Sequence, residues 1–167
     1  MINKKPIFVE EMKWKDDLYI LELYNSINFS GLKPITQVQA VCFTNDSDVV
    51  LYQHSDNYLG LPGGTPEQSE SSEETLKREL YEEISVEVLD FGPIGYIKVY
   101  KKDRPEKFDF QLRYWAKVKL LEETPDPDNK AIGRILVPIN NAVEKLNWGK
   151  RGELLIELAK DKGGFVN

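Results

Sequence analysis

The chain has 167 residues, of which 41% are hydrophobic and 30% are charged, and its formal net charge at pH 7 is −6. These proportions are typical of one globular domain with a substantial core. The negative net charge argues against a broad electrostatic grip on nucleic acid, so no extended nucleic acid partner is expected. A single cysteine excludes an internal disulfide. We find neither a membrane-spanning apolar run nor a signal-peptide core, so we expect a cytoplasmic protein without membrane association.

Residues 1–34 are interpreted as an N-terminal β-hairpin followed by a connector. Two β-prone apolar runs at residues 7–14 and 18–24 flank a short polar turn, which is the pattern of a hairpin. The hairpin is either an edge extension of the main sheet or a contact in a homodimer, and the sequence does not choose between them. Residues 35–167 form the main part of what we expect to be a single globular domain.

Two further strands are predicted at residues 37–43 and 49–53, joined by a polar turn. Cys42 lies in the first of them and is interpreted as a small buried residue. His54 ends the second and is the only histidine of the chain. Because it has no partners at ligand spacing, sites built on histidine are poor hypotheses, and the chemistry is expected to come from carboxylates.

Gly63 and Gly64 open a stretch in which seven glutamates fall between Glu67 and Glu83. Two glycines after a proline predict a sharp turn with an accessible backbone. The turn is either an ordinary tight turn or a loop that offers backbone groups to a metal or a phosphate.

An amphipathic helix is predicted to start near Ser71, because Ser71 and Glu74 have the spacing of a capping box. Leu76, Leu80 and Ile84 recur every four residues and form a stripe that faces the core. The helix therefore has one buried side and one acidic side.

Glu79, Glu82 and Glu83 lie within an arc of about 100° on this helix, since they are three and four residues apart. Like charges on one face repel each other unless a cation neutralises them. Arg78, four residues before Glu82, can supply one such charge. A hard divalent cation such as Mg²⁺ is the other candidate, because it prefers carboxylate oxygens. The alternative is an acidic face that is merely solvated.

Beyond the helix, strands are predicted at residues 86–89 and 94–100, with a turn at 90–93, and a charged loop follows at 101–107. Residues 108–120 alternate as a strand with one apolar and one polar face. Trp115 is the apolar exception on the polar face, beside Arg113. Trp115 could stack on a nucleobase while Arg113 pairs with a phosphate. The alternative is that Trp115 packs under a helix.

The remaining residues predict an acidic loop at 122–129, a short helix at 141–146, a loop at 147–152 and a buried C-terminal helix at 153–160. Strands interleaved with two or three helices indicate an α/β domain.

The stretch from Gly64 to Val86 resembles the Nudix box, G-x5-E-x7-R-E-U-x-E-E-x-G-U, in which U is a bulky aliphatic residue. The positions that match are Gly64, Glu70, Arg78, Glu79, Leu80, Glu82, Glu83 and Val86. Ser85 departs from the box, since it stands where the second glycine is found. A glycine there suits a left-handed helix end, so the serine either adopts that conformation at a cost of about 1 kcal/mol or the helix ends differently.

The resemblance implies the Nudix fold, α/β (α+β) in class, with a mixed β-sheet sandwiched between helices and here extended by the N-terminal β-hairpin. It implies hydrolysis of a diphosphate bond in a nucleoside diphosphate derivative, such as a nucleoside triphosphate or a nucleotide sugar like ADP-ribose. The cofactor it implies is Mg²⁺ or Mn²⁺. Glu79, Glu82, Glu83 and the carbonyl of Gly63 are the expected metal ligands, Arg78 orients the carboxylates, and Glu70 braces the loop.

The general base is expected to be Glu79 or an acid of the 122–128 loop, whose candidates are Glu122, Glu123, Asp126 and Asp128. The sequence does not identify the substrate, and the residues considered for binding it are Tyr58, Tyr96, Arg113 and Trp115. Lys150 and Arg151 could approach phosphates, although a solvated surface is the simpler interpretation.

Two rival functions stay open. A non-catalytic Nudix-like module that binds a nucleotide would be expected to have lost box glutamates, whereas all of them are present here. An acidic Ca²⁺-binding or interaction protein would bind metal without turning over any nucleotide.

Overall fold

The protein is described by a computed structural model that covers residues 5–165. Within these residues one sheet contains nine strands. The strands are β1 (Phe8–Trp14), β2 (Asp17–Tyr24), β3 (Ile35–Phe43), β4 (Asp48–His54), β5 (Leu59–Gly60), β6 (Gly63–Gly64), β7 (Val86–Lys101), β8 (Phe108–Leu120) and β9 (Ala131–Pro138).

The sheet is mixed, as the resemblance implied. Its main path runs β1-β2-β7-β8-β3-β4-β5, with β6 beside β3 and β9 beside β4. The pair β3 and β8 is parallel, and the other pairs are antiparallel. Strand β3 pairs with β6 through Val38 and Gln39 and with β4 through Cys42 and Phe43. The strands β6 and β4 therefore follow each other along the same edge of β3, and β8 occupies the other edge.

Helices cover both faces of the sheet, which confirms the sandwich. The helix α1 (Ser72–Ile84) packs on one face through the predicted stripe of Leu76, Leu80 and Ile84. The helices α2 (Ile139–Leu146) and α3 (Gly149–Gly163) pack on the other face. No helix within residues 5–165 combines the length and apolar character needed to cross a membrane.

The alternation of β3 decides what each face meets. Val38, Ala40 and Cys42 belong to the core cluster beneath α1, so Cys42 is buried as predicted. Val41 and Phe43 belong to the cluster beneath α2 and α3. Odd-numbered residues of β3 therefore share the second face, which matters for the polar residues near its start.

The predicted N-terminal hairpin is confirmed. Phe8 pairs with Leu23 and Trp14 with Asp17 in β1 and β2. The second strand of the hairpin then pairs with β7, from Tyr19 opposite Lys101 to Tyr24 opposite Tyr96. The hairpin is therefore an extension of the main sheet, and a homodimer stays a prediction.

The predicted turn at residues 90–93 is wrong, because β7 continues through it as a 16-residue strand. Two irregularities, between Val88 and Asp90 and between Pro93 and Gly95, keep the strand in register with β8. A β-bulge can accommodate proline, which has no backbone N–H, and glycine without ending the hydrogen-bonded pairing of the two strands. The charged loop that follows is present as predicted.

The C-terminal part differs from the prediction in two ways. Residues 131–138 form β9, for which the sequence predicted no element. Helix α3 begins at Gly149, so the predicted loop at 147–152 is wrong. The glycines there suggested a loop, but a Cβ on Gly152 would lie 2.9 Å from the Cβ of Trp148. The absence of a side chain at Gly152 thus allows the start of α3 to pack closely against Trp148, which precedes the helix.

Candidate active site

The two glycines of β6 lie in close contact with Val38 of β3 and Glu79 of α1. The turn is therefore more than an ordinary tight turn. Gly63 has φ of 149°, and a Cβ there would meet the carbonyl oxygen of Val38 at 2.0 Å. A Cβ on Gly64 would meet the carboxylate carbon of Glu79 at 2.3 Å. Only glycine fits at either position without displacing a neighbour. The glycine loop therefore lies directly against an acid of α1.

The start of α1 is fixed by the predicted capping box. The side chain of Ser71 accepts the N–H of Glu74 at 3.1 Å, and the carboxylate of Glu74 accepts the N–H of Ser71 at 2.8 Å. This cap sets the rotation of the helix, so that Leu76 and Leu80 are fully buried and Glu79 is only 7% exposed. The acids next to the apolar stripe are thus held at the border of the core.

Arg78 links three acids of the box. Its Nη1 lies 2.7 Å from Oε1 of Glu79 and 3.3 Å from Oε2 of Glu82. Its Nε and Nη2 donate to the two oxygens of Glu70 at 2.7 and 3.0 Å, in the forked geometry that guanidinium and carboxylate share. These carboxylates raise the pKa of Arg78 further above its usual value. Arg78 therefore contacts three acids of the box, and its role in orienting them stays a prediction.

Glu70 ties the loop before α1 to the helix. Besides Arg78, it accepts the N–H of Glu67 at 2.9 Å and the hydroxyl of Thr75 at 2.7 Å. The bond to Arg78 contributes most to lowering the pKa of Glu70 to about 2. Glu70 therefore joins the loop to the helix, and its functional role stays a prediction.

Glu83 is the acid of the box that faces the glycine loop. Its carboxylate accepts the N–H of Gly63 at 2.9 Å. Burial raises its pKa to about 8, and the charges of Glu79 and Asp126 add to this. Burial also raises the pKa of Glu79, against the opposing effect of Arg78. Ionising these two neighbouring carboxylates with raised pKa values costs free energy. A bound cation would stabilise their ionised forms.

The chemistry of this donor set suits a hard divalent ion. The candidate ligands are carboxylate and carbonyl oxygens, which Mg²⁺ and Mn²⁺ prefer. In residues 5–165 no group of three or more acids, histidines or cysteines already converges on one point. Arg78 contacts Glu79 and Glu82, while the N–H of Gly63 donates to Glu83. The metal ligands stay a prediction that the chemistry of the oxygens favours.

The acidic loop after β8 brings two of its four candidate acids beside Glu83. Glu123 and Asp126 line a cavity of about 550 Å³ together with Glu83. Asp126 is 6% exposed, and its carboxylate accepts the N–H groups of residues 128, 130 and 131 at 3.1, 2.9 and 2.9 Å. Glu123 accepts one N–H, that of Arg134, at 3.1 Å. Glu122, Glu123 and Asp128 are exposed, and only Asp126 of the four is buried.

Ser85 explains how the box tolerates its departure. The residue is left-handed, with φ of 52° and ψ of 57°, so it takes the conformation expected of the missing glycine. Its hydroxyl accepts the N–H of Thr124 at 3.0 Å. Serine thus keeps the helix end and adds a bond to the acidic loop, which a glycine could not make.

Arg134 also holds this helix end, and sequence reasoning did not select it. Its Nη1 donates to the carbonyl oxygens of Ile84 and Ser85 at 3.1 and 2.9 Å, where a helix leaves carbonyls without partners. The contact between Arg134 and the end of α1 could be predicted only after β9 had been recognised as a strand, because Arg134 reaches the helix from β9.

The residues considered for substrate binding separate into two groups. Tyr58 and Arg113 line a second cavity, of about 470 Å³, on the sheet face opposite α1. Tyr96 is buried and stacks on Tyr24, with ring centroids 4.8 Å apart. Trp115 packs against Phe165 at 5.9 Å within the core beneath α3, as its alternative interpretation proposed. The structure therefore gives Tyr96 and Trp115 packing roles.

Sequence reasoning missed most of the second cavity. Arg151 lines it, and its Nη1 forms an ion pair with Glu10 of the hairpin at 2.8 Å, so it is not a solvated surface residue. Lys150 pairs with Glu153 at 2.9 Å. The alternation of residues 108–120 predicts that Gln111 lies on the polar face of the strand. It does not predict which residues from other parts of the chain lie opposite Gln111.

A family model described as the NUDIX domain matches residues 34–158, about three quarters of the chain. Among solved structures, the chain is similar to the Bacillus subtilis pyrophosphohydrolase BsRppH in a mutant form, with a TM-score of 0.71 and 23% identity over 94% of this chain and 99% of that one.

It is also similar to the NUDIX domain of Shewanella oneidensis NrtR solved with ADP ribose, with a TM-score of 0.60 and 21% identity over 81% of this chain and 92% of that one. A third similar structure is a MutT protein from Bacillus halodurans, with a TM-score of 0.54 and 17% identity over 71% and 78% of the two chains. A comparison with curated proteins gives no match. At these identities the structures establish a shared fold.

Proposed function

Because the chain belongs to the Nudix hydrolase family, we propose that it hydrolyses a diphosphate bond in a nucleoside diphosphate derivative, with a divalent metal ion as cofactor. The observation that supports this most is the arrangement around Arg78 and Gly63. All the box glutamates are present, three are linked by Arg78, and the fourth faces the glycine loop. A binding module without catalysis has no need to keep this set of acids together.

The residues that would hold the ion are Glu79, Glu82, Glu83 and the carbonyl of Gly63. A bound Mg²⁺ or Mn²⁺ supplies positive charge to the diphosphate oxygens and lowers the pKa of a bound water. Arg78 keeps Glu79 and Glu82 in position through its contacts at 2.7 and 3.3 Å. Because neither Gly63 nor Gly64 has a side chain, the glycine loop lies directly against Glu79.

One carboxylate must accept the proton of the attacking water, and we assign this role to Glu123. Asp126 is less suited, since three N–H groups already occupy its oxygens. Glu79 is less suited because Arg78 neutralises it at 2.7 Å. Glu123 accepts a single N–H and lines the same cavity as Glu83.

The test is release of phosphate or pyrophosphate from a panel of nucleotides with Mg²⁺ or Mn²⁺. The panel includes nucleoside triphosphates, dinucleoside polyphosphates and ADP-ribose. Glu82→Gln and Glu83→Gln are expected to lower kcat/KM by at least about 100-fold. Glu73→Gln removes the same charge from the exposed first turn of α1 and is the matched control, with an expected change of about twofold or less.

Two results would contradict the proposal. Box variants that hydrolyse as fast as the wild type would remove the acids from the mechanism. Wild-type protein that hydrolyses nothing, while a nucleotide still raises its Tm, would favour the non-catalytic module. Glu123→Gln in the same assay separates the base from Glu79, since only replacement of the true base should remove the acidic limb of the pH profile of kcat/KM, in which the rate rises as that carboxylate loses its proton.

A further inference from the structure

The cavity of about 470 Å³ on the face opposite α1 is a second candidate site. The hairpin contributes Trp14 and Tyr19 to its wall, and the start of α3 contributes Arg151. Gln39 and Arg113, which lie side by side on the paired strands β3 and β8, form its floor. A volume of this size is in the range of small-molecule sites, about 300–1,000 Å³.

This cavity adjoins the glycine loop of the active site. Gln39 is the direct partner of Gly63 in the pairing of β3 with β6. The Nε2 of Gln39 also donates to the carbonyl of Leu61 at 3.3 Å. A group attached to a diphosphate that lies at Gly63 therefore has this cavity as its immediate neighbour.

Three buried side-chain atoms of residues 5–165 have no hydrogen-bond partner, and they are Oε1 of Gln39, Nε of Arg113 and Nε of Arg151. All three belong to residues that line this one cavity. Folded proteins leave few buried polar groups unpaired, because each costs about 1–3 kcal/mol. Their concentration at one place points to a ligand that supplies the missing partners.

Arg113 makes the floor of the cavity rich in hydrogen-bond donors. It is 4% exposed, and its guanidinium donates to the carbonyl oxygen of Leu112 and to the side-chain oxygens of Gln37 and Gln111, at 3.1, 2.8 and 2.9 Å. All three acceptors are neutral, and within residues 5–165 no carboxylate forms an ion pair with Arg113, although Asp109 lines the same cavity. Because both glutamines present their oxygens to Arg113, their NH₂ ends are left for a ligand.

The walls of the cavity favour a flat aromatic ligand. Tyr58 is 49% exposed and stacks on His54 at 4.3 Å, so one face of its ring remains available. Trp14 and Tyr19 stand on the hairpin side, with ring centroids 6.1 Å apart. Stacking of a base on such rings contributes about 1–3 kcal/mol, whereas a phosphate alone would leave them unused.

We propose that this cavity binds the base of the substrate and selects a purine with a 6-oxo group over one with a 6-amino group. The part of this inference that places the diphosphate at Gly63 rests on the proposed function. O6 of a 6-oxopurine is an acceptor for the unpaired Nε–H of Arg113, whereas adenine offers a donor at N6. The N1–H of the 6-oxopurine is also a donor that Oε1 of Gln39 can accept, while N1 of adenine is an acceptor.

The experiment measures binding of nucleoside monophosphates by calorimetry in the presence of a chelator. GMP, IMP, AMP and ribose 5-phosphate are compared, since none has a diphosphate to hydrolyse and none requires the metal. GMP and IMP are expected to bind at least about tenfold more tightly than AMP, and ribose 5-phosphate more weakly than all three. Because no turnover is read, this result does not depend on whether the protein hydrolyses a diphosphate.

Arg113→Met tests the residue that makes the selection, and we expect it to bring the ratio of GMP to AMP affinity close to one. Lys119→Met removes the same charge from an exposed position on the same face of β8 and should leave the ratio unchanged. Tyr58→Leu provides a second variant at an exposed position, and it should weaken GMP and AMP alike.

Five results would overturn the inference. The first is AMP that binds as tightly as GMP, and the second is no binding of any of the three monophosphates. The third is ribose 5-phosphate that binds as tightly as GMP, which would make the cavity an anion site without base recognition. A folded Arg113→Met that keeps the wild-type ratio would remove Arg113 from the selection. Hydrolysis of nucleotides without preference for a base would overturn this inference alone, and lack of hydrolysis with selective binding would overturn the proposed function alone.

Discussion

Arg78 and Arg113 are the same residue type in opposite surroundings. Arg78 lies on α1 and contacts the carboxylates of Glu70, Glu79 and Glu82. Arg113 lies on the other face of the sheet and contacts three neutral oxygens. Carboxylates raise the pKa of Arg78, whereas burial, with a smaller effect of Arg151, lowers the pKa of Arg113 to about 9.

The difference shows two uses of a guanidinium. Arg78 is complete within the protein, because its fork is matched by acids that it holds in place. Arg113 is incomplete, because a buried cation beside neutral partners retains a desolvation penalty that an acceptor-rich ligand would offset. The first arginine therefore organises a site, and the second is suited to recognise what enters one.

The largest effect is expected from Arg78→Met. Without the guanidinium, Glu79 and Glu82 repel each other and lose their positions, and misplacement of about 1 Å can lower kcat/KM by about 100-fold. The free energy of unfolding should fall by about 1–3 kcal/mol, since the ion pairs are partly exposed and screened by solvent. Nucleotide hydrolysis and urea unfolding measure the two effects.

Arg104→Met, in the exposed loop after β7, is the control for the loss of one charge. It should change neither quantity appreciably. An Arg78→Met protein with wild-type activity and stability would show that Arg78 is no organiser and would remove the contrast between the two arginines.

A smaller effect is expected from Arg113→Met at neutral pH, where the free energy of unfolding should change by about 1 kcal/mol or less. The variant loses hydrogen bonds but also loses the desolvation penalty of a buried charge. Folding lowers the pKa of Arg113 to about 9, so above that pH the folded state releases its proton before the unfolded state does. Wild-type stability relative to the variant should therefore rise by up to about 1.4 kcal/mol per pH unit.

Urea unfolding of both proteins at pH 7 and pH 10 checks this prediction. Taking the difference between the two proteins cancels the tyrosines that also titrate in this range. A difference that stays constant, or that moves in favour of the variant as the pH rises, would mean that Arg113 is not a desolvated cation.

The smallest effects concern the end of the helix that holds Arg78. Ser85→Gly relieves a left-handed serine but loses the bond to Thr124, and these effects are each about 1 kcal/mol and opposite in sign. We expect a net change within about 0.5 kcal/mol. Ser85→Ala keeps the strain and loses the bond, so it should lower the free energy of unfolding by about 1 kcal/mol. Thermal or urea unfolding of the two variants measures these changes. Equal destabilisation by both would show that loss of the hydroxyl outweighs relief of the left-handed strain.

The surroundings of Arg78 could be predicted from the sequence because they are local. The capping box, the apolar stripe and the acids are all set by helical spacing, and the glycine loop is only a few residues away. The surroundings of Arg113 could not be predicted in the same way. Alternation put Arg113 on a polar face, but its position beside Gln39 depends on a parallel pairing between strands 74 residues apart in sequence.

The errors elsewhere have the same origin. The turn at residues 90–93 and the loop at 147–152 were predicted from glycine, proline and aspartate, which favour turns in isolation. In the folded chain, pairing with β8 and the approach of Trp148 to Gly152 outweigh those local preferences. The strand β9 went unpredicted because Gly133 and Arg134 interrupt its apolar run.

The hairpin has a consequence for any shortened form of this protein. The family match begins at residue 34, so a chain cut to the matched bounds would lose β1 and β2. The edge of β7, a strand of 16 residues, would then be bare along the stretch from Tyr96 to Lys101 that β2 now covers. Bare edges pair with other chains, so such a fragment should aggregate as well as lose the wall formed by Trp14 and Tyr19.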